Sequence, residues 1–278
     1  MQKIKTLFAS IVPLFLAFAL QFAVAYFLLF LAGIFLFVIA PALGNNSYDI
    51  DDLLTLALNQ DFNTAISIVF SLSCILFFAT WYYKKLRGRF KLDIKTEFHP
   101  YEILGLLFLV PGTQFMSSIV TGTISMIFPK WLEDYLALIE NAGLTGEISP
   151  LMLMYTVFLA PIGEELIFRG VTFGILRKAF PFWVANIIQA LLFGIFHLNP
   201  LQGCYTFFVG LFMGYICEKG GTLYHAILFH LLFNLWGATA SQWLLLGNET
   251  TQALIIAFGT IIGLRAGLHL FKKGNTLK

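Results

Sequence analysis

The sequence predicts an all-α protein, a polytopic membrane bundle of about eight transmembrane helices, and three observations predict it. Hydrophobic residues make up 59% of the 278-residue chain and charged residues 12%, against roughly 45–50% and about 25% in soluble domains. A soluble fold of this size needs far more polar surface, so a soluble enzyme is excluded, together with a disordered chain or a disulfide scaffold. Apolar runs of helical length recur from end to end with short polar connections; eight helices of about 20 residues would use roughly 160 residues. Lysine and arginine gather in alternate connections, hence on one side, as the positive-inside rule predicts.

The first apolar run, residues 7–43, contains no charged residue. It is too long for a signal-peptide core and longer than a perpendicular span requires. Ala23-Val24-Ala25 resembles a signal-peptidase site, yet apolar sequence continues well past it. The expectation is an uncleaved, long or tilted first helix. A polar segment, 45–61, follows. Span two is 62–83 and ends in the basic cluster Lys84, Lys85, Arg87, Arg89, Lys91. Span three is 101–128, and an amphipathic stretch, 131–139, separates it from span four at 150–177. Span five is 182–197. Span six, 204–217, is short for a full crossing. Span seven is 222–246 and span eight 251–271.

With the N-terminus inside, eight crossings put Lys3, Lys5, the basic residues from Lys84 to Lys95, Arg177, Lys178, Lys219, Lys272, Lys273 and Lys278 on one side. That is fourteen of the 17. The positive-inside rule then makes both termini cytoplasmic. No internal period or linker divides the chain. One integrated membrane domain is expected: 1–145 without an assigned motif, 146–246 a motif-bearing core, and 247–278 a last helix and tail. Cys74, Cys204 and Cys217 match no ligand spacing and read as small buried residues.

Ionisable side chains inside a span are costly, so each is a functional candidate. The densest group is in span four, Pro161-Ile-Gly-Glu164-Glu165-Leu-Ile-Phe-Arg169. Glu165 and Arg169, four apart, share a helix face in the favourable order. Glu164 is turned about 100° away and needs a partner on another helix or contact with water. Pro161 and Gly163 could interrupt the helix and leave Glu164 in the first turn of a new segment. Span five ends Phe193-Gly-Ile-Phe-His197 and span seven carries His230-Leu-Leu-Phe-Asn234, each pair on one face. By helical rise, Glu164 lies ~20 Å from Arg177, His197 ~22 Å from Phe182, and His230 and Asn234 ~13 and ~19 Å from Gly221. Acid, base and amide groups thus share one slab of the bilayer. His225 is about 140° round the helix from His230 and reads as structural or entrance-lining. His99 and His269 read as interfacial.

These residues resemble the CPBP family, the CAAX proteases and bacteriocin-processing enzymes also called the Abi family. Its pattern of E-E-x-x-x-R, F-x-x-x-H and H-x-x-x-N or D on successive helices is met by Glu164-Glu165…Arg169, Phe193…His197 and His230…Asn234. The resemblance covers about 150–236, a third of the chain. His225 stands where such proteins commonly have proline. The resemblance implies an intramembrane endopeptidase in a bacterial cell membrane, in which Glu164 with His197 activates water. His230 and Asn234 would stabilise the oxyanion, and Glu165, Arg169 and Phe193 would support the motif.

Amide hydrolysis needs a base for water and donors aimed at developing negative charge, which agrees with these roles. No recognisable nucleophile motif points to covalent catalysis. Glu164, His197 and His230 could instead hold Zn2+, but H-E-x-x-H is absent and Asn is an uncommon zinc ligand; the preferred reading requires no cofactor. The partners expected are the lipid bilayer and a peptide or membrane-protein substrate, with no nucleic acid. The competing readings are a non-catalytic immunity or scaffold protein of the same fold and a proton-coupled transporter.

Overall fold

The computed structural model describes residues 1–44, 48–86, 98–240 and 248–277. Arg87, Arg89, Lys91, Lys95 and Lys278, and the end of the expected seventh span at 241–246, lie outside the described residues. Ten helices and no strands form the described chain: α1 (Gln2–Ala42), α2 (Ile50–Leu58), α3 (Gln60–Lys85), α4 (Pro100–Ile127), α5 (Pro129–Asn141), α6 (Pro150–Leu176), α7 (Phe182–Phe196), α8 (Pro200–Gly220), α9 (Leu223–Thr239) and α10 (Glu249–Thr276). The polytopic helical bundle is thereby established.

Local chemistry sets the boundaries. Asp49, Asn59, His99, Ser149, Asn199, Thr222 and Asn248 each accept a main-chain N–H at a helix start, satisfying donors that the first turn leaves without partners. Proline follows the cap at Pro100, Pro150 and Pro200, where its fixed φ suits the first helical position. Asn248, the start of an Asn-Glu-Thr sequence, is thus a cap for α10. Gly221, at φ +68°, ends α8 in the left-handed conformation that glycine adopts without strain.

Six helices are long and apolar enough to cross a membrane among the described residues: α1, α3, α4, α6, α8 and α10. The described residues do not confirm the exact count of eight spans. Here the expectation for span six is corrected: α8 has 21 residues, and the short helix is α7, with 15. The polar residues Gln202, Glu218 and Lys219 at the ends of α8 disguise its length. At 1.5 Å per residue α7 covers about 22 Å, less than a ~30 Å hydrocarbon core, so it is too short to cross one by itself.

Pro161 and Gly163 do not break α6. The backbone stays right-handed and helical, widened into π turns at Tyr155–Leu159 and Leu166–Phe173 on either side of Glu164 and Glu165. Widening the turn before Pro161 accommodates a ring that would otherwise strike the preceding carbonyls. Glu164 is therefore in mid-helix, not at a new N-terminus.

Glycine lets the helices meet at backbone distance. A Cβ on Gly105 would lie 2.9 Å from the Gly267 oxygen, and one on Gly112 2.7 Å from the Leu264 nitrogen, so α4 and α10 touch main chain to main chain. Gly194 and Gly203 do the same for α7 and α8. One end of the bundle collects the start of α1 and the ends of α3, α6, α8 and α10 with the starts of α4, α7 and α9. Tyr82 and Leu86 pack on Gly170 and Gly174, Arg177 pairs with Glu218 at 2.7 Å, and His225 lies between the rings of Phe98 and Phe271.

Candidate active site

The site is built by α6, α7 and α9, with α8 behind them. The π turns of α6 present the consecutive acids to different surroundings. Glu165 is fully buried; Arg169 Nη1 donates to its Oε1 at 2.8 Å. His230 on α9 donates from Nδ1 to the same oxygen at 2.9 Å. Because the carboxylate can only accept, the imidazole proton is fixed on Nδ1 and Nε2 faces the other way. Nε2 lies 3.7 Å from Oε2 of Glu164, whose side chain retains 18% exposure. His230 thus stands between two acids, one neutralised by an arginine and one not.

Phe193 joins the three helices. Its ring lies 4.4 Å below the Arg169 guanidinium carbon, a cation–π contact in a desolvated place. The same ring meets His197 at 4.8 Å and His230 at 5.9 Å, both edge to face. His197 caps the C-terminal end of α7, and its Nδ1 donates to the Phe193 carbonyl at 2.8 Å. That leaves Nε2 as the free, proton-accepting edge of a half-buried ring. No ion pair joins His197 to Glu164 among the described residues.

Asn234, one turn beyond His230, donates from Nδ2 to the Thr156 carbonyl in the first π turn of α6 at 2.9 Å. One amide proton is committed there and the second remains. Gln114 of α4 donates to the Phe233 carbonyl at 2.7 Å, fixing the same stretch of α9 from its other side. The structure therefore brings Glu164, Glu165, Arg169, Phe193, His197 and His230 into one connected group, with Asn234 tied to its α6 wall.

Residues 146–236 match the type II CAAX prenyl endopeptidase Rce1-like family. The matched segment is about a third of the chain. It contains every residue named above except Gln114. The chain is also 29% identical over 85 residues to the "Putative membrane peptidase YdiL" of Bacillus subtilis (strain 168). That similarity takes in 31% of this chain and 35% of the relative, so the chain spans about a third of the length of the curated protein it matches. No solved structure matches the chain.

The donor set of the matched segment does not gather as a metal site: among the described residues no three His, Cys, Asp or Glu side chains come together closely enough to hold an ion. Glu164 and His230 approach each other, while Nδ1 of His230 is occupied by Glu165 and His197 points along α7. The cysteines stay out of the site as free thiols, Cys74 and Cys217 buried. His225 is buried against Glu102, Nε2 to Oε2 3.2 Å. His99 accepts from the Tyr101 N–H at the start of α4, and its own N–H donates to Glu102.

Sequence reasoning passed over two fully buried amides of α7, Asn186 and Gln189. The signal was present. Asn186, Gln189, Phe193 and His197 recur at helical spacing on one face of the helix, so the polar stripe that ends in His197 begins eleven residues earlier.

Proposed function

We propose that the chain is an intramembrane endopeptidase of the CAAX type, hydrolysing a peptide bond of a membrane-associated or lipid-modified peptide. The observation that carries this reading is the unequal treatment of adjacent acids. Glu165 is consumed by Arg169 and His230, whereas Glu164 keeps partial exposure and, among the described residues, has its one ion-pair contact with the Nε2 edge of His230. A carboxylate without a neutralising cation, in a confined site beside a histidine, is what activation of a water molecule requires.

In this mechanism Glu164 takes the proton of the attacking water, and His197, with Nε2 open, assists and carries a proton to the leaving amine. The second amide proton of Asn234 faces the developing oxyanion, where preorganised donors are worth most; His230, whose resting proton is on Nδ1, joins it as a donor once Nε2 also takes up a proton. Glu165 and Arg169 hold His230 in its orientation. Thr156 plays the same part for Asn234. The proposed route needs no metal, and stoichiometric zinc in purified protein, with activity lost on chelation and restored on readdition, would reject it.

The test of the function is peptide cleavage by protein reconstituted in lipid nanodiscs, with membrane peptidomics of cells with and without the chain to supply candidate substrates. Glu164→Ala is expected to lower the rate by about 10²–10⁴-fold, the usual share of a general base. Full activity in Glu164→Ala at normal expression would exclude the role given to this acid.

A further inference from the structure

Behind Arg169 lies a polar arrangement that the proposed mechanism does not use. Nη2 of Arg169 donates to the Gly210 carbonyl of α8 at 3.3 Å. That oxygen also accepts from Nε2 of Gln189 at the shorter distance of 2.9 Å. Gln189 is braced in turn by Asn186, whose Oδ1 and main-chain oxygen lie 2.8 and 3.1 Å from Nε2. Asn186 donates to the Leu211 carbonyl at 3.0 Å. Three acceptors around Nε2 fix which way the Gln189 amide points. The approach depends on glycine: a Cβ on Gly214 would collide with the Asn186 and Gln189 amides, and one on Gly210 would lie 3.2 Å from Phe193.

We propose that Gln189, braced by Asn186, is a positioning residue for His230, acting through the Gly210 carbonyl, Arg169 and Glu165. The chain of contacts is continuous. Gln189 sets the Gly210 oxygen, that oxygen steadies one arm of the guanidinium, and the other arm holds Glu165 Oε1. The same Oε1 carries the Nδ1 proton of His230. Without Gln189, the Gly210 oxygen loses its shorter side-chain contact, and the guanidinium is left to settle against it on its own, at a position that Gln189 no longer sets. Any shift of Arg169 then moves the shared oxygen away from Nδ1 and releases the imidazole to its other tautomer. The inference rests on the endopeptidase reading for the reacting atoms but not for the contacts themselves.

The test uses the full chain in nanodiscs, with 15N-labelled histidine and a cleavable peptide. Wild type should show His230 protonated at Nδ1, its resonance assigned by His230→Gln. Gln189→Met keeps the volume and removes the donors; it should lower kcat about tenfold with KM changed less than about twofold, and should mix the two His230 tautomers. Asn186→Ala should move both readouts in the same direction by a smaller factor, and serves where Gln189→Met does not fold. Wild-type kcat with an unmoved His230 signal in a folded variant overturns the proposal. So does a lowered melting temperature with kcat and tautomer unchanged, since that is a packing role alone. A wild-type protein that cleaves nothing, while Gln189→Met still shifts the tautomer, rejects the endopeptidase reading and leaves the positioning role standing.

Discussion

Glu164 and Glu165 are chain neighbours with opposite duties. Replacing Glu165 by Gln would leave Arg169 buried without its anion, a loss of about 3–5 kcal/mol. Replacing Glu164 by Gln removes a largely buried acid whose contact with His230 is 3.7 Å and which neutralises no arginine, so it should cost much less than the Glu165 change, while abolishing cleavage. Thermal unfolding of the two variants in the same detergent checks this, and equal losses would refute the division of labour. Leu198, between His197 and the cap Asn199, has φ +55° and an exposed side chain. A leucine held there costs about 1–2 kcal/mol, so Leu198→Gly should raise stability by up to about 1 kcal/mol after the entropy of glycine is counted; a lower melting temperature would show that its side chain carries the turn. The spacing of Glu165 and Arg169 made their pairing legible in the sequence, and the three short motifs made the other site residues legible. That one histidine touches both acids was not legible, because it depends on the π winding of α6, which changes the angle between successive side chains.

At the scale of helices, the apolar runs gave the positions of the spans, because hydropathy reports what faces lipid. It does not report what faces another helix. α10 meets α4 through Gly263, Gly267 and Gly274, spaced on one face, and the seam has no apolar signature to distinguish it from a lipid-facing stripe. In a bilayer such a seam is held by close packing and not by a hydrophobic effect. Gly267→Val should therefore force α10 away from Leu109 and Gly105 and destabilise the protein by about 1–3 kcal/mol or more. Gly122, on the same helix as Gly105 but with open space where a Cβ would go, provides the contrast: Gly122→Ala should stabilise by roughly 0.5–1 kcal/mol from helix propensity alone. Denaturation in mixed micelles reads both changes, and a harmless Gly267→Val would mean that α4 and α10 do not rely on this contact. The bounds of α7 are legible in the sequence, which predicts 182–197 where Phe182–Phe196 is found; the length of α8 is not. The turn between them is tighter than the expected 198–203 connection: it runs through Leu198 and the cap Asn199, and α8 starts at Pro200.

Across the whole molecule, charge is divided between the two ends of the bundle. Lys3, Lys5, Lys84, Lys85, Arg177, Lys178, Lys219, Lys272 and Lys273 lie at the end where α6, α8 and α10 finish. The opposite connections hold Asp49, Asp51, Asp52, Asp61, Glu133, Asp134, Glu140, Glu147 and Glu249 with Lys130 as the basic residue among them. Lys130 is itself paired with Asp134 at 2.9 Å on the exposed face of α5. The ends are brought to one side by contacts, not by the pattern of charge: the Arg177–Glu218 pair, the rings around His225, and the hydrogen bond from Asn275 to the Lys219 carbonyl. Such a molecule has one orientation favoured by the positive-inside rule, with the basic end cytoplasmic. In a variant with its three cysteines replaced by serine, Lys130→Cys should react with a membrane-impermeant maleimide in intact cells, and Lys178→Cys only after permeabilisation. The reverse pattern would invert the orientation and place the His197 end of the site, which lies toward the acidic side, nearer the cytoplasm. It would leave every contact within the bundle as it is while changing the side from which a peptide reaches Glu164.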